Sequence, residues 1–321
     1  MKARPERWPV PLDDRLRSFT RLLTWLSPAF STGAYAYSHA LEWAVEAGDV
    51  RDEHGLLRWL DGVLRFGAGR TDAILLRHAH RAATVDALAL DALPGGRFRL
   101  DLDRLAGKLS GARALVLNSP NNPTGWTATA DELAAILALC RRHGVWLISD
   151  EVYSRLVYDG ADAAPSLLDL ADPADRVIVC NSFSKTWAMT GWRLGWMVLP
   201  DGARDAVAEI VEVTHSGTAP FIQAAGVAAL ADEAFVRDFR AHCARGRALV
   251  ADALAGLNGV RHAAPDGAFY AFVGVDGLRD SVGLALRLVH EHGVAVAPGA
   301  AFGPAGEGAL RLCFAQSPER L

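Results

Sequence analysis

Three short β-type runs, at 114–117, 147–149 and 177–180, each break off into a segment of chemistry-bearing side chains. The first opens into Asn118-Ser119-Pro120-Asn121-Asn122-Pro123-Thr124-Gly125, where prolines, asparagines and a glycine make a tight polar turn. The sequence does not decide whether either X-Pro bond there is cis. The second run ends in Asp150-Glu151-Val152-Tyr153, a carboxylate followed by a phenol. The third delivers Ser182-Phe183-Ser184-Lys185, with Arg193 eight residues beyond the lysine. Between the first two runs the spacing predicts a helix. Thr129 and Glu132 form a capping box, Leu133, Ile136, Leu137 and Cys140 share one face, and Gly144 ends it. Such strand–helix–strand units cross over right-handedly and pair in parallel, which sets an α/β fold. Ligands of open α/β sheets sit outside the carboxyl ends of the strands. Asn122, Asp150, Tyr153 and Lys185 are therefore expected to converge.

The residue types suit a phosphate-bearing aldehyde. A deprotonated lysine amine condenses with a carbonyl, and a serine hydroxyl with a guanidinium fork holds a phosphate. Each residue also has a plainer reading. Lys185 and Arg193 would flank an ordinary strand-to-helix turn, and Asp150 would cap the next segment. Tyr153 would be a packing aromatic, Asn122 a turn former and Arg311 a surface strand residue.

Further segments complete a pattern: Thr190-Gly191-Trp192-Arg193-Leu194-Gly195 and the stretches 265–270, 294–303 and 310–315. With these, residues from about 97 to 321 resemble the fold-type I, class I/II aminotransferases that use pyridoxal phosphate (PLP). The resemblance implies that Lys185 carries PLP covalently and, once substrate displaces it, moves the proton between the substrate Cα and the cofactor. It implies that Asp150 pairs with the pyridine nitrogen and that Tyr153 and Asn122 bond the ring's phenolic oxygen. Ser182 and Arg193 would hold the phosphate, while Arg311, with Asn122, would take the substrate carboxylate. The implied reaction moves an amino group between an α-amino acid and a 2-oxo acid, and the implied assembly is a homodimer.

Further along, strands are expected at 194–199, 268–273, 294–297 and 310–314, with long helices dominating after about Asp201. The implied architecture is an α/β large domain at 85–200, mostly a parallel sheet with helices, and an α+β small domain at 201–321. The large domain is expected to be incomplete. No counterpart is found for the family's glycine-rich phosphate loop, whose amides form an anion site at a helix start.

Residues 13–83 read differently, as helical throughout. Leu16, Phe19, Leu23 and Leu26 recur at helical spacing, and Asp52 would cap a later helix bearing Leu56, Leu57, Leu60 and Leu64. The run Leu26-Ser27-Pro28-Ala29-Phe30-Ser31-Thr32-Gly33-Ala34-Tyr35-Ala36-Tyr37-Ser38-His39-Ala40-Leu41-Glu42-Trp43 resembles the start of the urease accessory protein UreF family. That resemblance, over 22–83, implies urease accessory proteins as partners of an all-helical segment at 1–84. His78 and His80 read as a solvated helix face, so no metal site is expected.

A net charge of −4 over 321 residues gives no electrostatic reason for a nucleic-acid or membrane partner. The cysteines Cys140, Cys180, Cys243 and Cys313 lie far apart in apolar segments, which argues for reduced thiols and a cytoplasmic setting. Three functional readings follow: a PLP-dependent transaminase, a urease-assembly binding module, and an inactive junction of two incomplete proteins.

Overall fold

The computed structural model describes residues 98–215 and 217–321, with 90–92 and the positions 52, 54 and 55. The chain divides into the units Met1–Asp86 and Ala87–Leu321. The expectation for 13–83 therefore lies outside the described residues, apart from one detail. Asp52 Oδ1 accepts the Gly55 N–H at 2.7 Å, as a capping aspartate does.

The Ala87–Leu321 unit begins with an antiparallel pair, β1 (Leu90–Ala92) and β2 (Phe98–Leu100). Helix α1 (Leu102–Leu109), capped by Asp101 accepting from the Arg104 N–H, was not anticipated from the sequence. A four-stranded sheet follows, in the order β3 (Ala114–Asn118), β4 (Trp146–Asp150), β5 (Val177–Ser182), β6 (Gly195–Val198). The first two pairings are parallel, as the crossover rule requires, and β6 returns antiparallel. The register pairs Asn118 with Asp150 and Asp150 with Cys180. The polar ends of all three parallel strands are thereby level.

Helix α2 (Ala130–His143) forms as its spacing predicts, with both halves of the Thr129–Glu132 capping box made and Gly144 in the left-handed cap. Its buried face, Leu133, Ile136, Leu137 and Cys140, packs with Leu105, Leu115, Leu117, Leu147 and Val179 into one core. Each such side chain contributes about 1.5–3 kcal/mol by leaving water.

The second half holds helices α4 (Arg204–His215), α5 (Pro220–Leu230), α6 (Glu233–Leu254) and α7 (Ser281–His292) after the single turn α3 (Phe183–Thr186). Its antiparallel sheet runs β7 (Val260–Arg261), β8 (Tyr270–Val275), β10 (Ala309–Cys313), β9 (Ala297–Pro298). The sequence reading missed the two-residue β7, which carries no periodicity to detect. Tyr153, Leu156, Cys243, Phe269, Tyr270 and Phe314 form its core.

Two contacts tie the polar turn after β3 to this second half. The Gly125 carbonyl accepts the Asp266 and Gly267 N–H groups at 3.0 and 2.9 Å. Gly125 has φ +70, and a Cβ there would collide with Pro265 Cβ. Both Ser119-Pro120 and Asn122-Pro123 bonds are cis. Glu151 is wholly structural: it is buried and accepts from Ser149 Oγ, Ser166 Oγ and the Leu167 N–H at 3.0, 2.7 and 3.1 Å.

Gly125→Ala is expected to lower unfolding stability by about 2 kcal/mol or more, combining left-handed strain with overpacking. Thr129→Ala should cost about 1 kcal/mol through loss of the cap. Urea denaturation of the three proteins in parallel checks this order; equal midpoints for wild type and Gly125→Ala would show that the turn is not held by close approach.

Candidate active site

The site assembles at the level ends of β3, β4 and β5. Asp150 closes β4, where its carbonyl accepts from Asn118 Nδ2 at 3.1 Å and from the Ser119 N–H at 3.2 Å. Its Oδ1 takes the Val152 N–H at 3.3 Å, so the capping role considered from sequence is present. Burial lifts this carboxyl above the usual range, while the Val152 N–H and the Lys185 charge pull it back. Asn118 also orients Asn122, four residues on, because its Oδ1 accepts the Asn122 N–H at 2.7 Å.

Asn122 then reaches across to β10. Its Oδ1 accepts from Arg311 Nη1 at 2.8 Å. The Arg311 guanidinium lies 4.2 Å from the Tyr270 ring centroid and 4.9 Å from that of Phe302. Arg311 Nε is buried with no hydrogen-bond partner. A desolvated charged donor left unmatched costs roughly 1–3 kcal/mol or more, so this edge is built to receive an acceptor.

Tyr153 is buried, and its hydroxyl donates to the Tyr270 hydroxyl at 3.3 Å. Burial is the main force raising its phenol pKa, with the Tyr270 contact adding to it. Lys185 Nζ stands 5.9 Å from the Tyr153 ring centroid. The lysine rides on α3, whose N-cap is Ser182. Its ammonium is destabilised first by burial and then by the Arg193 and Arg311 charges, with Cys313 and Asp150 opposing. The pKa is lowered, which favours the neutral nucleophilic amine.

The anion end holds one residue more than the sequence reading named. Ser182 Oγ accepts the Ser184 N–H at 3.0 Å, so this hydroxyl holds the turn. Ser184 Oγ lies 2.9 Å from Ser182 Oγ and accepts from Arg193 Nη1 at 3.4 Å. Ser184 therefore sits between the two residues named from sequence. Arg193 is exposed, adopts a left-handed backbone (φ 52, ψ 44) and donates from Nη1 to the Thr190 carbonyl at 2.8 Å.

All seven residues singled out from sequence thus fall in one connected neighbourhood: Asp150 with Asn122, Tyr153, Lys185 and Arg311, and Ser182 with Arg193 at the anion end. The donor set fits PLP. A lysine with depressed pKa, a half-buried carboxylate, a phenol and hydroxyls beside a guanidinium match its carbonyl, ring nitrogen, ring oxygen and phosphate. Among the described residues no group of three or more His, Cys, Asp and Glu is placed to hold a metal ion. No helix among them is long and apolar enough to cross a membrane. Tyr270, Phe302, Asn118 and Ser184 were missed as individual residues, although each lies inside a motif read from the sequence.

The sequence pattern of the family "Aminotransferase class I and II" matches residues 79–321. The chain belongs to that family. An arginine–pyruvate transaminase of Pseudomonas aeruginosa is 38% identical over 228 residues, covering 70% of this chain and 57% of the relative. A valine–pyruvate aminotransferase of Mycobacterium tuberculosis is 39% identical over 227 residues, covering 69% of this chain and 58% of the relative. The crystal structure of an aromatic aminotransferase from Pyrococcus horikoshii superposes with TM-score 0.64 at 38% identity, covering 70% of this chain and 61% of that one. This aminotransferase chain therefore spans under two thirds of the length of the curated relatives it matches.

Removing the neighbouring cation should make Lys185 easier to protonate. Arg193→Gln is expected to move the amine's titration to higher pH, read by pH-dependent acetic anhydride labelling of Lys185 and mass spectrometry. An unmoved or lower midpoint would show that Arg193 does not act on the amine.

Proposed function

We propose that this chain is a PLP-dependent transaminase that moves an amino group between an α-amino acid and a 2-oxo acid. The observation that carries the reading is the convergence of Lys185, Asp150, Tyr153 and Asn122 at the ends of β3, β4 and β5, with Arg311 reaching Asn122 from β10. Names of relatives at 38% and 39% identity, an arginine–pyruvate transaminase and a valine–pyruvate aminotransferase, support the reaction class.

Asp150 would face the pyridine nitrogen, Tyr153 and Asn122 the ring oxygen, and Ser182, Ser184 and Arg193 the phosphate, with Lys185 on the carbonyl. PLP supplies a protonated conjugated ring that takes up the electron pair released when a bond at the substrate Cα breaks. The protein's own part is placement and proton handling. Arg311 grips the carboxylate with the edge that holds the unpartnered Nε, oriented by Asn122 and the two rings. Lys185, with its lowered pKa, is suited to take the Cα proton and return it elsewhere. The Asp150 carboxylate would favour a positive charge on the ring nitrogen and so strengthen the electron pull.

The substrates' side chains are left open, and a homodimer is the assembly that the family reading implies. A second reading concerns 22–83 alone, whose resemblance to the urease accessory protein supports a role in urease assembly. Pull-down with urease accessory proteins tests it, and binding that survives deletion of 1–84 refutes it.

Titrating purified protein with PLP should produce a visible absorption band that Lys185→Ala lacks; identical spectra would defeat the proposal. Arg311→Lys keeps the charge but loses the planar fork. It is expected to raise KM for 2-oxo acids about 10–100-fold, in line with about 1.5–3 kcal/mol for a charged hydrogen bond, as steady-state kinetics would show.

A further inference from the structure

We infer that Tyr270 is a positioning residue of the active site, in which one side chain sets both the carboxylate-binding guanidinium and the Tyr153 phenol. The inference rests on the transaminase reading and concerns a residue that lies within the 265–270 motif but was given no role there.

Tyr270 opens β8 directly opposite Cys313 of β10, so it lies on the strand paired with the one that carries Arg311. Its ring lies 4.2 Å from the Arg311 guanidinium, closer than the Phe302 ring at 4.9 Å. Stacking on an aromatic face fixes the plane of the guanidinium and hence the direction of its N–H fork. Asn122 Oδ1 pins only one nitrogen, at 2.8 Å. A single hydrogen bond leaves rotation about that contact, and the ring contact removes it.

The other end of the same residue does different work. The Tyr270 hydroxyl accepts a hydrogen bond from the Tyr153 hydroxyl, at 3.3 Å. The two rings meet edge to face with centroids 5.9 Å apart, and Phe269 closes on Tyr153 at 5.3 Å. Both tyrosines are buried, so neither phenol has bulk water as a substitute partner. Tyr270 thus joins Arg311, which meets substrate, to Tyr153, which meets the cofactor ring.

This division makes two variants separable. Tyr270→Phe keeps the stack and removes the hydroxyl, whereas Tyr270→Leu removes both. In PLP-loaded protein, Tyr270→Phe should lower kcat about three- to tenfold with KM for pyruvate within twofold of wild type, the scale of one hydrogen bond. Tyr270→Leu should in addition raise that KM about tenfold, the scale of a desolvated cation–π contact. If both variants move KM alike, or neither moves it, the stacking role is wrong. If kcat of Tyr270→Phe equals wild type, the hydroxyl role is wrong.

A second readout needs no cofactor. Phenylglyoxal labelling of Arg311 in PLP-free protein, followed by mass spectrometry, should run about fivefold faster in Tyr270→Leu and at the wild-type rate in Tyr270→Phe. Equal rates in all three proteins overturn the stack. Failure of the transaminase reading would show instead as no Lys185-dependent PLP band in wild type, with the labelling pattern still deciding the role of Tyr270. Circular dichroism melting of each variant confirms that the folded form is being compared.

Discussion

The register of β3, β4 and β5 brings Asn118, Asp150 and Cys180 to the same level, and the chemistry of the site is hung from that line. Parallel pairing is rigid in this respect, because a slip by one residue would turn every side chain to the opposite face. Asp150 is the centre of the arrangement. Its backbone receives Asn118 and Ser119, and its carboxylate feels the charge of the lysine delivered at the end of the neighbouring strand β5. The buried Glu151 beside it clamps the following segment through Ser149, Ser166 and Leu167. Adjacent carboxylates thus do separate work, one available to a ligand and one spent on the fold.

Electrostatics then divide the site into a cationic rim and an acidic point. Burial disfavours the Lys185 ammonium first, the Arg193 and Arg311 charges add to it, and Cys313 and Asp150 pull the other way. The same guanidinium charges would attract the phosphate and carboxylate groups of small anionic ligands. Lowering the amine's pKa and binding anions are therefore one arrangement read from two sides. Arg311 shows its cost: it is held by Asn122 and two rings, yet keeps a buried Nε unmatched. Local frustration of that kind persists only where surrounding packing over-determines it.

Much of this was legible before any coordinates. The capping box at Thr129, the buried face of α2 and the parallel strands follow from local rules, because hydrophobic period and cap chemistry act within a few residues. Asn122, Asp150, Tyr153 and Lys185 were readable because each stands at the end of a β-type run. Helix α1 and the strand β7 were not, the first for want of a reading at Asp101 and the second for its two-residue length. Ser182 shows the limit for site residues. Its hydroxyl was expected at a phosphate; the structure shows in addition that it caps α3 and that Ser184, given no role from the sequence, stands beside it and accepts from Arg193. Both serines fit the motif equally well, and only backbone direction separates them.

What the sequence determined alone was the set of strand-end side chains and the kind of chemistry they suit, since strand, helix and turn signals are local. Tertiary structure decided which of them touch. Arg311 meets Asn122 across 189 positions of chain, and Tyr153 meets Tyr270 across 117. No periodicity spans such separations; closing them takes the packing of the antiparallel sheet against the turn held by Gly125. The burial that depresses the Lys185 pKa is likewise a property of the closed fold, because it arises only when distant segments together exclude water.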